Sequence, residues 1–267
     1  MSISIITIVK NDVLNIKNTI LSVINQNYKD FEYIVIDGNS TDGTYEIISE
    51  FSNKIDFFIS EKDNGIYDAI NKGISYATKN LIGIIHSGDL LIDNSLTKIY
   101  ELSKYYPNSI IYGDIYYTES IFNYNYKKLY IANHKFLKKE MTIFHPSTFI
   151  PQQIYQKYGK YDTKYKSASD YDFLLKLFLK NVNFVHLNIP LTIFSKGGLS
   201  TQNISLTLVE NYYIRKSQIS IYNALCYFFK ISFIRIIYRL RNTIFIYIFG
   251  IQFYNKLKIN KYRKNND

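Results

Sequence analysis

The first 90 residues alternate between short apolar runs rich in β-branched residues and segments whose apolar residues recur at helical spacing. The apolar runs cover residues 4–9, 31–36, 55–60 and 81–85, and the helical segments cover residues 16–24, 45–51 and 66–77. Runs of this length are typical of strands that are buried on both faces of a parallel sheet. Strands that alternate with helices predict an α/β fold, in which a mostly parallel sheet is flanked by helices.

Beyond residue 105 the pattern is less regular and predicts a more mixed region. Residues 109–117, 125–132 and 141–150 have the composition of strands, and residues 169–180 have the spacing of a helix. The single cysteine, Cys226, excludes an intrachain disulfide and a cysteine-rich metal site, and it fits a reducing cytoplasm. The first nine residues lack the features of a signal peptide and are predicted to form a strand.

The formal net charge of +10 lies entirely in the last fifth of the chain. Residues 215–267 hold 11 of the 32 basic residues and one of the 22 acidic residues, so the preceding 214 residues are electrically balanced. This distribution argues against a protein that wraps nucleic acid with a basic surface. It predicts a domain at residues 1–214 and a basic, apolar helical extension at residues 215–267.

Polar residues gather where the predicted strands end. Asp37, the turn at residues 63–65 and Asp89 each follow a different strand. Ligands of open α/β sheets bind beyond the carboxyl ends of the strands, so the fold would bring these carboxylates to one rim. Glycines at positions 65 and 73 surround a helix start, where backbone N–H groups and the positive end of the helix dipole suit a diphosphate.

Four segments occur in a specific order: SIITIVKN at residues 4–11, IVIDGNSTDGT at 34–44, DNGIYDAINKG at 63–73 and SASDYD at 167–172. Together they resemble the inverting family 2 glycosyltransferases, especially the bacterial branch that makes cell-surface polysaccharides. The resemblance spans roughly residues 2–200. It implies a Rossmann-like GT-A fold. It also implies inverting transfer of a sugar from a nucleotide-sugar, UDP-linked, to a hydroxyl of a glycan or a lipid-linked glycan.

The resemblance assigns the nucleoside pocket to four residues: Thr7, Val9, Asn11 and Asp37. Asp37 would accept a hydrogen bond from the imide N–H of uracil. The residues alone leave other roles open, because Asp37 also fits a helix-capping turn, and Thr7 and Val9 also fit a plain core. Asp42, which opens a helix, is interpreted as a cap.

The resemblance assigns the diphosphate and sugar side to four further residues: Asp63, Gly65, Asp68 and Asn71. Asp68 either faces the donor sugar or caps its own helix. Many family members carry Arg at the position of Ile70, so this side lacks one cation, and the residue that compensates is left open.

Residues 86–89, His-Ser-Gly-Asp, take the place of the family's acidic metal motif. A divalent cation neutralises the charge that develops on a leaving diphosphate, and Mn²⁺ and Mg²⁺ prefer oxygen ligands. We predict Asp89 as the ligand. Since His86 and Gly88 replace commoner acidic residues, ligation is expected to rest on one carboxylate, completed by phosphate oxygens and waters. His86 is expected to be a neutral, hydrogen-bonded residue.

Inversion requires a base that removes the proton of the acceptor hydroxyl. Asp170 matches the family's base, at the start of a helix whose dipole is expected to keep it ionised. The alternative is an N-capping carboxylate, and Asp172 is the second choice. His145 lies in a segment that resembles the acceptor side, although a histidine beside a proline is usually structural. Residues 196–200 resemble a loop that closes over the donor.

The extension is aromatic, apolar and basic from residue 220 onward. Its longest uncharged run, residues 242–255, would span about 21 Å as a helix, short of the roughly 30 Å hydrocarbon core. We therefore predict peripheral attachment of residues 220–264 to the anionic inner face of the cell membrane. The alternative is a pair of helices that pack on the catalytic domain with a solvated basic tail.

Two other functions fit parts of the sequence. A nucleotidyltransferase would need a glycine-rich phosphate loop after the first strand, and residues 9–12 contain no glycine. A non-enzymatic binder of membrane or nucleic acid, acting through the basic tail, would leave the carboxylates dispensable. The donor sugar, the acceptor, the linkage and the oligomeric state stay open.

Overall fold

The predicted alternation of strands and helices is present in the amino-terminal part of the chain. A computed structural model describes residues 2–121, 124–195 and 203–249. Its first elements are β1 (Ile3–Val9), α1 (Ile16–Ile24), β2 (Phe31–Asp37), α2 (Thr44–Ser49), β3 (Phe57–Ser60), α3 (Ile66–Tyr76) and β4 (Leu81–His86). Each predicted strand and helix of this part is found, with bounds that differ by a few residues at most.

The sheet has the strand order β3, β2, β1, β4, and it continues with β8 (Thr148–Pro151), β6 (Ile110–Ile121), β9 (Phe184–Ser195) and β5 (Leu90–Leu91). A ninth strand, β7 (Tyr124–Tyr130), lies beside β6. The first four strands are parallel, and β1 lies between β2 and β4. In the register, Val9 lies opposite Asp37, and Asp37 lies opposite Ser60. His86 lies opposite Ile8 on the other side of β1. The carboxyl ends of all four parallel strands therefore meet at one edge of the sheet, as predicted.

The second half of the sheet is antiparallel. Its elements are β5 (Leu90–Leu91), α4 (Ser95–Tyr105), β6 (Ile110–Ile121), β7 (Tyr124–Tyr130), β8 (Thr148–Pro151), α5 (Gln152–Tyr158), α6 (Ser169–Leu179) and β9 (Phe184–Ser195). β8 pairs antiparallel with both β4 and β6, and β5 pairs antiparallel with β9. The sheet is therefore parallel on one side of β4 and antiparallel on the other, rather than mostly parallel throughout.

One strand prediction is largely wrong. Of the predicted strand at residues 141–150, only Thr148–Pro151 is extended in the sheet, and His145–Ser147 form a short 3-10 helix. Pro146 is the physical reason, since it has no N–H to donate to a strand ladder. The sequence patterns also did not predict α4, α5 or β9.

The core is built from strands that are buried on both faces, such as β1 and the last five residues of β2. Gly73 brings α3 against this core, because a Cβ at that position would overlap the side chain of Ile6. This close packing fixes the position of α3, whose first turn follows the Asp63–Gly65 turn at the edge of the sheet.

The chain divides into two compact units, Met1–Tyr116 with Leu129–Ser195, and Tyr117–Lys128 with Lys196–Asp267. The second unit contains α7 (Ile204–Gln218) and α8 (Ile221–Phe249). The two helices form an antiparallel hairpin, since Arg215 lies 3.9 Å from the ring centroid of Tyr227 and Arg235 donates to the carbonyl of Ile204. The predicted boundary at residue 214 falls inside α7, because the change in charge does not coincide with a helix end.

The residues whose structure is described include no helix that is long and apolar enough to cross a membrane. The loop predicted at residues 196–200 and the basic residues at 256–264 lie outside the described residues.

Candidate active site

Asp37, the last residue of β2, is completely buried, and its carboxylate accepts three hydrogen bonds. The Ser60 hydroxyl and the Ser40 backbone N–H donate to Oδ2 at 2.5 and 3.0 Å, and the Ser40 hydroxyl donates to Oδ1 at 2.5 Å. Two carboxylate oxygens offer about four acceptor directions. One direction on Oδ1 is therefore left for an imide N–H, the role predicted for Asp37.

The loop after β1 is tied to the loop after β2. Asn11 has a left-handed backbone, with φ of 50°, which asparagine tolerates better than most residues. Its backbone N–H donates to the Ser40 hydroxyl at 2.8 Å, and its side-chain oxygen accepts from the Thr41 N–H at 2.9 Å. Asn11 therefore orients the serine that holds Asp37.

Thr7 and Val9 lie in the interior of the sheet. Thr7 is completely buried, and its hydroxyl accepts a hydrogen bond of 3.0 Å from the buried hydroxyl of Tyr33. Val9 is 6% exposed. The structure therefore gives Thr7 the core environment that was the alternative to nucleoside binding. Val9 lies at the carboxyl end of β1, directly beside Asp37.

The Asp63–Gly65 turn lies beside the end of β2. The Asp63 carboxylate occupies the place that a Cβ would take at Gly38, and Asp63 also accepts from the Gly65 N–H at 3.0 Å. Gly65 has a φ of 119°, and a Cβ there would meet no atom of the described residues within 4 Å. The start of α3 is thus open, as a diphosphate would require.

Two residues of α3 predicted to face the donor have structural partners. Asp68 accepts from the Asn64 N–H at 2.9 Å, so it caps its own helix, and it also lies 3.7 Å from the Lys72 amine. The Asn71 amide donates to the Tyr161 carbonyl at 2.8 Å and accepts from the Tyr161 N–H at 3.0 Å. Asn71 therefore fixes Tyr161.

A cation does lie beside the Asp63–Gly65 turn. The Lys166 amine donates to the Asn64 carbonyl at 3.4 Å, and its side chain is exposed. Ile70, which stands where many family members have Arg, is completely buried in α3. Lys166 is therefore a cation beside the turn that was predicted to face the diphosphate, and it comes from a segment about a hundred residues further along the chain.

The turn at residues 86–89 is held by hydroxyl groups. The Thr19 hydroxyl donates to the Asp89 carbonyl at 2.9 Å and accepts from the Gly88 N–H at 3.0 Å. The Ser87 hydroxyl donates to the Asp12 carboxylate at 2.7 Å. Gly88 has a φ of 94°, a conformation that the commoner acidic residue would adopt only with strain.

The Asp89 carboxylate is 3% exposed and poorly partnered. Oδ1 accepts from the Ser195 N–H at 3.4 Å, and Oδ2 is buried without a hydrogen-bond partner in the part of the chain that the structure describes. Burial raises the pKa of Asp89 well above its usual range, with the Ser195 N–H opposing the shift. An unpartnered buried carboxylate oxygen is the kind of ligand that a hard divalent cation would use.

No group of three or more histidine, cysteine, aspartate or glutamate residues that could hold a metal is found among the described residues. The donor set therefore fits a cation bound by Asp89 only if other oxygen atoms complete its coordination. Asp12 lies at the same turn, but its carboxylate is hydrogen-bonded to Ser87 and Asn15.

A buried hydrogen-bonded chain starts at the end of β4. His86 Nε2 lies 3.0 Å from His145 Nδ1, and His145 Nε2 lies 2.9 Å from the Tyr161 hydroxyl. Burial lowers the pKa of His86 to about 3, with the adjacent His145 adding to the shift, and burial lowers the pKa of His145 to about 4. His86 is therefore the neutral, hydrogen-bonded residue that was expected, and His145 is its partner.

Asp170 is the second residue of α6, and Tyr67 from α3 donates to its Oδ1 at 3.0 Å. The Tyr171 N–H donates to the same oxygen at 2.9 Å. Burial raises the pKa of Asp170, and these two hydrogen bonds only partly oppose it. The expectation that the helix dipole keeps Asp170 ionised is thus incomplete, because desolvation is the largest effect.

Asp172 lies on a different side of α6. Burial is the largest cause of the raised pKa of Tyr165, and the charge of Asp172 adds to it. The hydrogen bond with Asp162 is the largest cause of the raised pKa of Lys164, and the charge of Asp172 makes a smaller contribution. Asp170 instead contacts Tyr67, which stacks against Tyr161 with ring centroids 5.8 Å apart. Of the two aspartates, Asp170 is therefore the one that a hydrogen bond joins to α3, the helix that follows the Asp63–Gly65 turn.

The sequence patterns missed the residues that hold the predicted ones. Ser40 and Ser60 position Asp37, Tyr67 positions Asp170, and Asn71 with Tyr161 joins α3 to the α6 side. Ser40 lies in the quoted IVIDGNSTDGT segment, so its position was a usable signal. The sequence patterns contained no signal for Ser60 or Tyr161, because serine and tyrosine are common residues and their contacts with Asp37 and Asn71 join positions far apart in sequence.

Comparisons with the sequences of known proteins show the family of this chain. The profile of the family described as Glycosyl transferase family 2 matches residues 4–180. An uncharacterized glycosyltransferase of Mycobacterium tuberculosis is 30% identical over 180 residues, covering 66% of this chain and 68% of that protein. A PGL/p-HBAD biosynthesis glycosyltransferase of Mycobacterium bovis is 24% identical over 207 residues, covering 74% of this chain and 77% of that protein.

Solved structures share the fold. TarS of S. aureus, residues 1–349 with UDP-GlcNAc, aligns with a TM-score of 0.65 at 17% identity, covering 81% of this chain and 65% of that chain. The mannosyltransferase PcManGT from Pyrobaculum calidifontis, with GDP-Man and Mn²⁺, aligns with a TM-score of 0.59 at 14% identity, covering 85% and 69% respectively. The chain spans 41% of a longer TarS chain.

The expected GT-A fold is confirmed by these structural similarities. The family match covers the strands, the turns and the helix that carry Asp37, Asp63, Asp89 and Asp170. The chain therefore belongs to the glycosyl transferase family 2 and is a glycosyltransferase.

Proposed function

We propose that this glycosyltransferase moves a sugar with inversion from a UDP-linked donor to a hydroxyl of a glycan or a lipid-linked glycan. The observation that carries the proposal is the environment of Asp170. This carboxylate is partly buried at the start of α6, its pKa is raised, and a tyrosine from the donor-side helix α3 donates to it. A carboxylate with a raised pKa accepts a proton more readily than an ordinary aspartate.

In the proposed reaction the acceptor hydroxyl attacks the anomeric carbon from the side opposite the diphosphate. The new C–O bond forms as the bond between the anomeric carbon and the diphosphate oxygen breaks, and the bonding electrons leave with the diphosphate. The hydroxyl proton passes to Oδ2 of Asp170, the oxygen to which Tyr67 does not donate. Tyr67 keeps the other oxygen in place by its hydrogen bond of 3.0 Å.

The donor is proposed from two features of the rim. Asp37 keeps one acceptor direction for a uracil imide, and the open turn at Gly65 with Lys166 nearby suits a diphosphate. TarS binds UDP-GlcNAc and PcManGT binds GDP-Man, so the fold accommodates more than one nucleotide. The open acceptor direction of Asp37 fits the imide N–H of uracil, and UDP is therefore the nucleotide in this proposal.

We also propose that Mn²⁺ or Mg²⁺ binds with the donor through Asp89. Its buried Oδ2 has no hydrogen-bond partner among the described residues, and the PcManGT complex contains Mn²⁺. When bound, the cation would neutralise negative charge on the diphosphate. Asp89 alone provides a single protein carboxylate, so affinity for the metal without nucleotide is expected to be weak.

The proposal is tested with one pair of variants and two nucleotides. Asp170→Asn should abolish transfer from the donor found by screening nucleotide-sugars, while UDP with Mn²⁺ raises its melting temperature as in the unmodified protein. Asp172→Asn, two residues along the same helix, is the matched control and should keep most of the turnover. Near-normal turnover of Asp170→Asn would show that another group is the base. A larger thermal shift with GDP than with UDP would overturn the choice of nucleotide.

A further inference from the structure

The last described helix, α8, has one face that no other described element covers. Its exposed apolar residues recur every three or four positions, which places them on one stripe of a helix. The stripe consists of Tyr222 (76% exposed), Leu225 (38%), Phe229 (65%), Phe233 (64%), Ile236 (55%) and Leu240 (57%). Six exposed apolar side chains over 19 residues extend about 27 Å at 1.5 Å per residue. Such a continuous surface marks an interaction site rather than scattered exposed residues.

The opposite face of α8 packs on α7. Ala224 is completely buried, Phe228 contacts Tyr212 with ring centroids 5.8 Å apart, and Tyr227 lies under the Arg215 guanidinium. Arg235 is directed to the carbonyl of Ile204 in α7 at 3.2 Å. One side of α8 therefore packs against α7, and the stripe takes no part in this packing.

The charge of this region decides what the stripe fits. Residues 215–267 hold 11 basic residues and one acidic residue. At 100° per residue, the exposed Lys230 and Arg241 lie along one edge of the stripe, where a long side chain can reach the headgroups of a bilayer. A second copy of the chain would bring the same excess of positive charge against this one. An anionic bilayer offers both an apolar layer for the stripe and negative charge for its edge.

We propose that the α8 stripe is a membrane-docking surface that lies in the interface of an anionic bilayer. The aromatic and aliphatic side chains enter the boundary between headgroups and acyl chains, and the basic residues remain at the headgroups. This assigns the predicted peripheral attachment to one face of one helix. It does not depend on the donor, on the metal or on Asp170.

The natural chain contains no tryptophan, so Phe229→Trp creates a single fluorescent reporter in the stripe of the full-length protein. With vesicles of phosphatidylcholine and phosphatidylglycerol, its emission should shift to shorter wavelength and be quenched by brominated acyl chains. Pure phosphatidylcholine vesicles should give a much weaker response at the same salt concentration. Tyr105→Trp, at a position 79% exposed on α4, is the matched control and should not be quenched.

A second measurement removes the stripe. The double variant Phe229→Ser with Phe233→Ser should float with anionic vesicles at least tenfold less than the unmodified protein, since each buried aromatic contributes about a factor of ten or more. The control is Tyr105→Ser with Ile131→Ser, at positions 79 and 72% exposed outside the stripe. This control should float normally.

Four results would overturn the proposal. The first is that Phe229→Trp protein floats with anionic vesicles but its tryptophan is not quenched by brominated acyl chains. The second is that the stripe variant and the control variant lose flotation equally. The third is burial of the reporter without lipid as protein concentration rises, which would assign the stripe to a second copy. Competition by RNA without any lipid response would likewise assign the basic residues to nucleic acid. Thermal shifts with UDP are measured separately, so failure here leaves the transfer proposal intact.

Discussion

Asp37 ends β2 and Asp89 lies in the turn that follows β4, yet the two aspartates have opposite environments. Within the described residues, Asp37 accepts three hydrogen bonds, whereas Asp89 accepts one of 3.4 Å and its Oδ2 has no partner. Both side chains are almost completely buried. The contrast teaches that burial alone does not define a site. Hydrogen bonds from protein donors stabilise the Asp37 carboxylate, whereas the negative charge of the Asp89 carboxylate has little stabilisation from the described residues.

The largest expected effect concerns the donors around Asp37. Asp37→Ala leaves the Ser60 hydroxyl and the two donors of Ser40 buried without their acceptor, which should cost about 4 kcal/mol of unfolding free energy. Urea denaturation monitored by circular dichroism measures it. Asp42→Ala is the control, because the exposed Asp42 caps α2 through the Thr44 N–H. If both variants lost equal stability, Asp37 would be no more than another turn residue.

The next effect concerns the histidine pair at the end of β4. In the unfolded chain His145 takes up a proton below pH 6.5, but in the folded protein its pKa is lowered to about 4. Stability contributed by the neutral side chain is therefore present above pH 6.5 and is lost as pH falls toward 4, by roughly 3 kcal/mol.

The His145→Gln variant isolates this contribution from other groups. Burial raises the pKa values of Asp89 and Asp170, which has the opposite sign, so stability from those carboxyl groups rises as pH falls. The difference between the unmodified protein and His145→Gln cancels them. That difference should shrink between pH 6.5 and 4, and a constant difference would show that His145 is not kept neutral by the fold.

Asp89→Asn should have a smaller effect on stability, of the opposite sign to that of Asp37→Ala. Removing a poorly partnered buried charge should raise the unfolding free energy at pH 7 by about 1 to 2 kcal/mol without nucleotide. The same variant should lose the part of the UDP-induced thermal shift that depends on Mn²⁺. A drop in stability would mean that Asp89 has favourable partners, and the contrast with Asp37 would fail.

The smallest effect concerns the cation at the Asp63–Gly65 turn. If Lys166 faces the diphosphate, Lys166→Gln should weaken binding of UDP by about fivefold, equivalent to about 1 kcal/mol. Binding of uridine, which has no phosphate, should be unchanged in isothermal titration calorimetry. Lys98→Gln, an exposed lysine of α4, is the control. Equal weakening of UDP and uridine would assign Lys166 to a structural role.

The amino-terminal half of the fold was predictable because its strands are short, apolar and separated by regular helices. β1 to β4 and α1 to α3 all follow the sequence pattern. The second half was less predictable, since antiparallel strands such as β9 are only partly buried and lack a continuous apolar run. Pro146 then interrupted the one run that looked like a long strand.

The candidate site was predictable at the level of its carboxylates, and less so for the residues around them. Asp37, Asp63 and Asp170 stand out by position in the four quoted segments, and Asp89 by its place after a strand. Asn71 was predicted to bind the donor, and the structure adds contacts of its side-chain amide with the backbone of Tyr161. A residue type and spacing do not indicate which partner uses the polar atoms. That depends on segments far away in sequence.

The sequence by itself determined the alternating α/β order, the family and the concentration of positive charge in residues 215–267. These properties are local, because strand runs, motifs and charge counts need no partner. Only the tertiary structure decided that Asp37 accepts three hydrogen bonds from Ser40 and Ser60, that among the described residues Asp89 accepts one from Ser195, and that one face of α8 remains exposed. The physical reason is that hydrogen bonds and burial belong to pairs of segments, which only folding brings together.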